Sequence, residues 1–162
     1  MLGTMLEDPF LKEGSKTNSE TKIKGIGLLP LKTSFLAQKI TRQTYSKSVW
    51  PCLSEINGFE MHNGITELDK SQTSLGIMPM FKDSDLGWYR ENECGGTTAG
   101  TYIHGIFEND EWRAQYLNVI RKSKKLPTVD KKTRSYKIKR ESIIDNLANE
   151  FNKHLNISSL LN

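Results

Sequence analysis

Apolar and polar positions along this chain fall into two spacings, one helical and one alternating. At the start, Leu2, Met5 and Leu6 recur at helical intervals before Pro9, which predicts the remains of a helix over Met1 to Leu11. Glu13 to Lys24 is polar, with Gly14, Ser15, Thr17, Asn18 and Ser19, and predicts a loop. An apolar block, Gly25 to Pro30, follows, flanked by glycines and closed by proline. Lys39 to Val49 then suits a strand through Ile40, Thr44, Tyr45 and Val49, and Pro51 breaks it. A second strand is predicted over Ile56 to Ile65, a hairpin-like region over Met78 to Trp88, and a further strand over Thr98 to Ile103. Helical spacing returns at the end. Asp110 to Lys122 lines up Trp112, Tyr116, Val119 and Ile120, and Glu141 to Leu155 lines up Ile144, Leu147, Ala148, Phe151 and Leu155. Strands that precede helices predict an α/β layer architecture. A chain that opens inside a helix, with no strand before it, gives that helix little to pack on, so the helix is peripheral or the chain is part of a longer one.

Composition narrows this picture. A length of 162 residues suits one domain. Hydrophobic residues make up 36% and the mean hydropathy is -0.56, but 14 aromatics argue against disorder throughout. No apolar run approaches the roughly 18 residues of a membrane helix, and the N-terminus has no basic segment followed by an apolar one, so neither a membrane span nor a secretory signal is expected. Two cysteines, Cys52 and Cys94, have no metal-ligand spacing. A cytoplasmic chain without a bound metal is the expectation.

The formal net charge of +4 hides an asymmetry. Residues 121–140 hold ten Lys or Arg and one acid, Asp130, so that this stretch is strongly positive and the remainder is net negative. The run has a single aromatic, Tyr136, and lies between the two helical patterns, which reads as a solvated basic linker over 121–140. A contact patch for an anionic partner is the alternative. Nucleic acid is not expected, because aromatics are not interleaved with the bases.

Candidate chemistry rests on a few side chains. Cys94, in Glu93-Cys94-Gly95-Gly96, invites comparison with a nucleophile elbow. An elbow needs a buried strand before it and a helix after it, and neither Arg90–Glu93 nor Thr97–Gly100 supplies them. Cys94 and Cys52 both read as turn cysteines. His104 ends an apolar strand and is followed by Gly105, which places it toward a crevice. His62 has a similar setting before Asn63-Gly64, and His154 reads as solvent-facing on the last helix. No acid stands two residues after His104. Glu108 and Asp110 are the nearest, and both read as caps of the following helix.

Four blocks in order carry a resemblance. Gly25-Ile-Gly-Leu-Leu-Pro30, Thr41-Arg-Gln43, Gly58-Phe-Glu-Met-His-Asn-Gly-Ile-Thr66 and Gly100-Thr-Tyr-Ile-His-Gly-Ile-Phe-Glu-Asn-Asp110 resemble successive motifs of the glutamine amidotransferase domain of cobyric acid synthases. The resemblance spans residues 1–162 and favours that family over cobyrinic acid a,c-diamide synthases and cell-wall isoglutaminyl synthases. It implies a partial flavodoxin-like class I amidotransferase domain that lacks its N-terminal strands. It also implies a part in glutamine-dependent, ATP-driven amidation of the b, d, e and g carboxylates of adenosylcobyrinic acid a,c-diamide, a corrin, in cobalamin biosynthesis. On the resemblance, His104 is the general base and acid paired with a cysteine, and His62, Asn63 and Gly64 lie beside bound glutamine. The family's elbow reads Cys-Gly-Gly-(aromatic)-Gln-Met-Leu-Gly, and Met1-Leu2-Gly3 matches its end. The nucleophile is therefore expected upstream of Met1, with the ATP- and Mg-binding domain, and the chain alone is expected to be inactive. Two other readings stay open: an amidotransferase subunit for another ATP-dependent amide synthesis, such as the cell-wall reaction, and a non-catalytic fragment that binds an anionic partner through residues 121–140.

Overall fold

Two long strands organise the chain, as the alternation predicts. A computed structural model describes residues 1–11, 21–71, 76–83, 85–93, 95–130 and 135–154. The strand β3 spans Leu31–Ser48 and pairs antiparallel with β4, Ser54–Leu68, across a turn that holds a cis Trp50–Pro51 bond. In β4 the even positions Ser54, Ile56, Glu60, Gly64 and Thr66 are buried, which is the period of two expected of a half-covered sheet. In β3 the buried phase changes. Leu31 and Thr33 point inward at one end, and Thr44, Ser46 and Ser48 at the other. The change has a cause: Phe35 pairs with Gly64 and the next pair is Ile40 with His62, so β3 takes extra residues there and its phase is reversed. The strand is predicted only from Lys39 because the alternation restarts beyond this irregularity.

The predicted N-terminal helix is not formed. Residues Met5–Glu7 are instead a strand, β1, parallel to β3 through Met5↔Lys32, Leu6↔Thr33 and Glu7↔Ser34, and antiparallel to β2, Lys22–Lys24. Three apolar residues ahead of a proline cannot offset the cost of helix nucleation, whereas a strand flanked on both sides satisfies its backbone groups. Gly3 permits the approach, since a Cβ there would lie 2.4 Å from the Leu31 carbonyl oxygen. The predicted loop over Glu13 to Lys24 ends in β2, and its residues 12–20 lie outside the described ones.

A second sheet confirms the predicted hairpin. It comprises β5 (Ile77–Pro79), β6 (Gly87–Glu91) and β7 (Thr97–Thr101), paired antiparallel in that order. The chain then returns to the first sheet as β8, Ile103–His104, giving the order β2-β1-β3-β4-β8. The predicted strand Thr98 to Ile103 is thus two strands in two sheets. A short 3-10 turn, Ile106–Glu108, leads into α1, Asp110–Ser123, and α2 covers Tyr136–His154. The fold is mixed α/β, with its parallel pairing at β1–β3.

The core lies between the sheets and α1. Trp50, Ile56, Met80, Phe81, Leu86, Ile103, Ile106 and Trp112 form one buried cluster. Trp112 is its keystone: its ring stacks on Tyr116 at 5.2 Å, and its indole N–H donates to the Trp50 carbonyl at 3.1 Å. Only the first part of the predicted α1 face is covered, since Val119 and Ile120 remain partly exposed. The last helix differs more. It starts at Tyr136, five residues before the predicted Glu141, because the Ser135 hydroxyl accepts the Ile138 N–H and Asp110 Oδ1 accepts the Tyr136 N–H. No residue of α2 is buried, and Ile144, Leu147 and Phe151 stay exposed, so the predicted stripe is not a packing face among the described residues. Leu155 lies outside them.

Substituting Trp112→Ala should lower the stability of this chain by about 3–5 kcal/mol in urea unfolding. Phe151→Ala should stay within about 0.5 kcal/mol of the parent, as for an exposed position. Equal losses would show that the α2 stripe is packed.

Candidate active site

The candidate site is built on β4 and the segment that follows β8. His104 is paired in register with Phe59, and their rings stack at 4.9 Å and 14°. Gly58 makes this close pairing possible, because a Cβ there would lie 2.4 Å from the His104 carbonyl oxygen. Gly105 then turns the chain with φ 77°, a left-handed conformation open to glycine. Asn109 clamps the turn: its Oδ1 accepts the Asn57 N–H at 2.9 Å, and its Nδ2 donates to the carbonyls of Asn57 and Ile106, each at 3.0 Å. The His104 side chain is exposed, and neither ring nitrogen is hydrogen-bonded to a described residue. Its ring is therefore held by stacking and pairing while its nitrogens stay available for proton transfer.

Neither nearby acid contributes a side-chain cap to α1. Glu108 takes Arg140 as an ion-pair partner at 3.2 Å. Asp110 accepts the Tyr136 N–H at 2.9 Å and the Arg113 guanidinium at 2.6 Å. The backbone bond from Tyr136, ahead of the contacts with Arg113 and Ser135, holds the Asp110 carboxyl below its ordinary value despite partial burial.

His62 has a different environment. The alternation of β4 places it on the Glu60 face, whereas Phe59, and hence its partner His104, project from the opposite face. Its Nδ1 lies 2.8 Å from the Gly64 carbonyl and its Nε2 3.2 Å from Glu60 Oε2, and its ring stacks on Tyr102 at 3.9 Å. Asn63 and Gly64 follow His62 in β4. His62, Asn63 and Gly64 share a cavity of about 280 Å³ with Lys39, Met61 and Tyr102. His104 lines another, of about 480 Å³. His62, Asn63 and Gly64 thus lie within β4 and not at a strand end, and they line one cavity while His104 lines another.

Glu60 is the residue that the sequence reading passed over. It is 2% exposed and accepts hydrogen bonds from Arg42 Nε at 2.8 Å, from Arg42 Nη2 at 3.3 Å, and from the Thr44 hydroxyl, as well as the His62 contact. Burial alone pushes its carboxyl up, but the bonds from Arg42, Thr44 and His62 and the Arg42 charge outweigh that and hold it at about 2. The signal was present: Glu60 falls in the buried phase with Ile56, opposite Arg42. Beside this group, a hydroxyl chain runs from Thr33 through Thr66, 2.7 Å apart, to Tyr102.

Cys52, the one cysteine among the described residues, sits in the β3–β4 turn with its Sγ 3.7 Å from Ser54 Oγ and is not adjacent to His104 in either cavity. Cys94 lies outside the described residues. His154 is exposed near the end of α2, 3.8 Å from Glu150. The basic run 121–140 begins in α1 and ends in α2. Among the described residues no cluster of three or more His, Cys, Asp or Glu could hold a metal, and no helix is long and apolar enough to cross a membrane.

Comparison with known proteins fits this arrangement. Residues 1–112 match the family described as a CobB/CobQ-like glutamine amidotransferase domain. Over its 162 residues the chain is 73% identical to a cobyric acid synthase of Prochlorococcus marinus strain MIT 9312. It is 71% identical to that of P. marinus subsp. pastoris and 39% identical, over 166 residues, to that of Synechococcus sp. strain CC9311. In each case the whole chain is matched, and it spans only 32% of the relative.

Glu60 carries a pH prediction. Its folded value of about 2 lies below its ordinary 4.5, so the unfolded chain binds more protons between the two. Its stabilisation is complete above about pH 4.5 and is lost as pH falls toward 2. Melting temperatures recorded across that window should fall with acid, and Glu60→Gln should lower the melting temperature at neutral pH and flatten the acid decline. An unchanged decline would assign the acid sensitivity to another carboxylate, such as Asp69, which Ser71 and Lys32 also hold at about 2.

Proposed function

We propose, from the premise that this chain belongs to the family of CobB/CobQ-like glutamine amidotransferase domains, that it is the glutamine-hydrolysing part of a cobyric acid synthase. The observation that carries this reading is the imidazole of His104, held by Phe59 at a strand end with both nitrogens unengaged among the described residues. On this reading His104 accepts the proton of a cysteine thiol that lies in the whole protein outside these 162 residues. The thiolate attacks the side-chain carbonyl carbon of glutamine, and His104 returns the proton to the departing nitrogen, releasing ammonia and leaving a thioester. His104 then takes a proton from water as the water attacks the thioester, and glutamate and the free thiol are released. A thiolate beside an imidazolium is the favoured ion pair, which is why such a cysteine needs this partner.

The ammonia serves amidation of the b, d, e and g carboxylates of adenosylcobyrinic acid a,c-diamide. ATP and Mg²⁺, which activate those carboxylates, belong on this reading to the remainder of the protein. The names of the relatives support this assignment over another amide synthesis. His62, Asn63 and Gly64 border the glutamine region. Since both nitrogens of His62 face acceptors, its part is to hold the strand, while Asn63 and Gly64 line the same cavity. The 162 residues alone are inactive on this reading.

In the complete protein, His104→Ala should abolish glutamine-dependent amidation, a loss of about 10²-fold or more, while ammonia-dependent amidation survives. Equal loss of both would point to misfolding, and full retention of the glutamine-dependent rate would remove His104 from the chemistry.

A further inference from the structure

The strand that ends in His104 has little of its own to hold it. β8 is two residues long, and it meets β4 through two rungs, Glu60↔Ile103 and Phe59↔His104. Residues two apart on a strand turn their N–H and C=O groups the same way, so this register, carried one step further, would set Ile106 against Asn57. The chain never makes that rung. Gly105 turns it out of the sheet into the 3-10 turn, which would leave the Asn57 N–H and C=O at a bare sheet edge.

Asn109 supplies the missing rung from a side chain. Its Oδ1 accepts the Asn57 N–H at 2.9 Å and its Nδ2 donates to the Asn57 carbonyl at 3.0 Å, so one carboxamide takes both backbone groups as a facing strand residue would. The same Nδ2 lies 3.0 Å from the Ile106 carbonyl and 3.4 Å from that of Gly105, which ties the turn to the same point. The helix that follows goes without. Asn109 is the N-cap of α1, where an asparagine ordinarily accepts an N–H of the first turn, yet its side chain makes no cap hydrogen bond. The helix gives up its cap, and the turn after His104 gains a second attachment to β4.

We propose that Asn109 is a positioning residue for His104. It fixes the strand end on the side of the Phe59 rung away from Glu60, so the imidazole is held from both directions along β4 while its nitrogens stay available. The proposal rests on the reading of His104 as the base of a glutamine-hydrolysing site, and it adds the residue that aims that base. A two-residue strand frays at its end, and the left-handed Gly105 gives the chain freedom at the point where His104 must be fixed. A base has to meet its proton within hydrogen-bond reach, and a misplacement of about 1 Å can cost roughly 10²-fold in rate.

The test uses the complete protein with Asn109→Ser and Asn109→Ala. Serine is a good N-cap, but its one hydroxyl, on a shorter side chain, does not span the Asn57 N–H and C=O. Both variants should lose at least about tenfold in glutamine-dependent kcat, with the KM for glutamine little changed and ammonia-dependent amidation retained. A parent-like kcat in Asn109→Ser would make the residue a helix cap and overturn the proposal, and so would a glutamine KM that rises while kcat stays fixed. The pH profile of kcat/KM for glutamine gives a readout that does not depend on the folded fraction. A displaced imidazole stabilises the thiolate less, so the acid limb of the profile should move to higher pH, toward the ordinary thiol value of about 8.5. Glu108, Tyr136, Lys137 and Arg140, the titratable groups that line the cavity with His104, are the same in parent and variant and do not cause such a shift. A lower kcat with the parent's profile means fewer folded sites without displacement of the base, and overturns the proposal. If His104→Ala behaves as expected while the Asn109 variants match the parent, the positioning role alone fails. If His104→Ala leaves glutamine use intact, the reading of the domain fails first.

Discussion

The carboxylate of Glu60 is the point on which β3, β4 and β8 depend. A charge taken out of water is tolerated only with its hydrogen bonds made, and Arg42, Thr44 and His62 make them from three directions. Two of these come from β3 and one from β4 itself, so the group fixes how the long strands lie against each other. A slip of one residue would carry Glu60 to the opposite face and leave the ion unpaired there. The same register sets Phe59 against His104 and Glu60 against Ile103. The buried ion and the exposed imidazole are neighbours along one ladder, on opposite faces, and the first keeps the second in place.

This two-faced arrangement gives the two histidines different surroundings. His62 is stacked on Tyr102 and faces acceptors at both nitrogens, as befits a residue that ties a strand. His104 is held by its ring face and leaves its nitrogens available. In a linear motif the two look alike, since each ends an apolar run ahead of a glycine. What separates them is the parity of their position relative to Glu60 and Phe59.

The same parity explains what could be read from sequence. The cores of β3 and β4, the hairpin of β5 and β6, and α1 were legible because each repeats its period long enough to be distinguished from chance. The strand-end position of His104 was legible from the apolar run before it and the glycine after it. Residues 1–11 were misjudged because Leu2, Met5 and Leu6 fit a helix locally, while their partners, Lys22–Lys24 and Leu31–Ser34, are distant in sequence. Glu60 was overlooked for a related reason. A lone acid in a strand reads as solvent-facing unless its cross-strand arginine is paired with it, and that pairing follows from the turn between Ser48 and Ser54, whose bounds the sequence pattern sets at Val49 and Ile56.

The attachment of α2 has a consequence of its own. None of its side chains is buried, and it meets the His104 turn through Tyr136 N–H to Asp110 and Arg140 to Glu108. Contacts of this kind are screened by salt, whereas the apolar cluster under α1 is not. The helix is thus a cooperative unit of low local stability beside a firm sheet, able to open without the rest. Salt that weakens these two contacts therefore also loosens the outer hold on the turn that follows His104, leaving the Asn109 clamp to keep its shape.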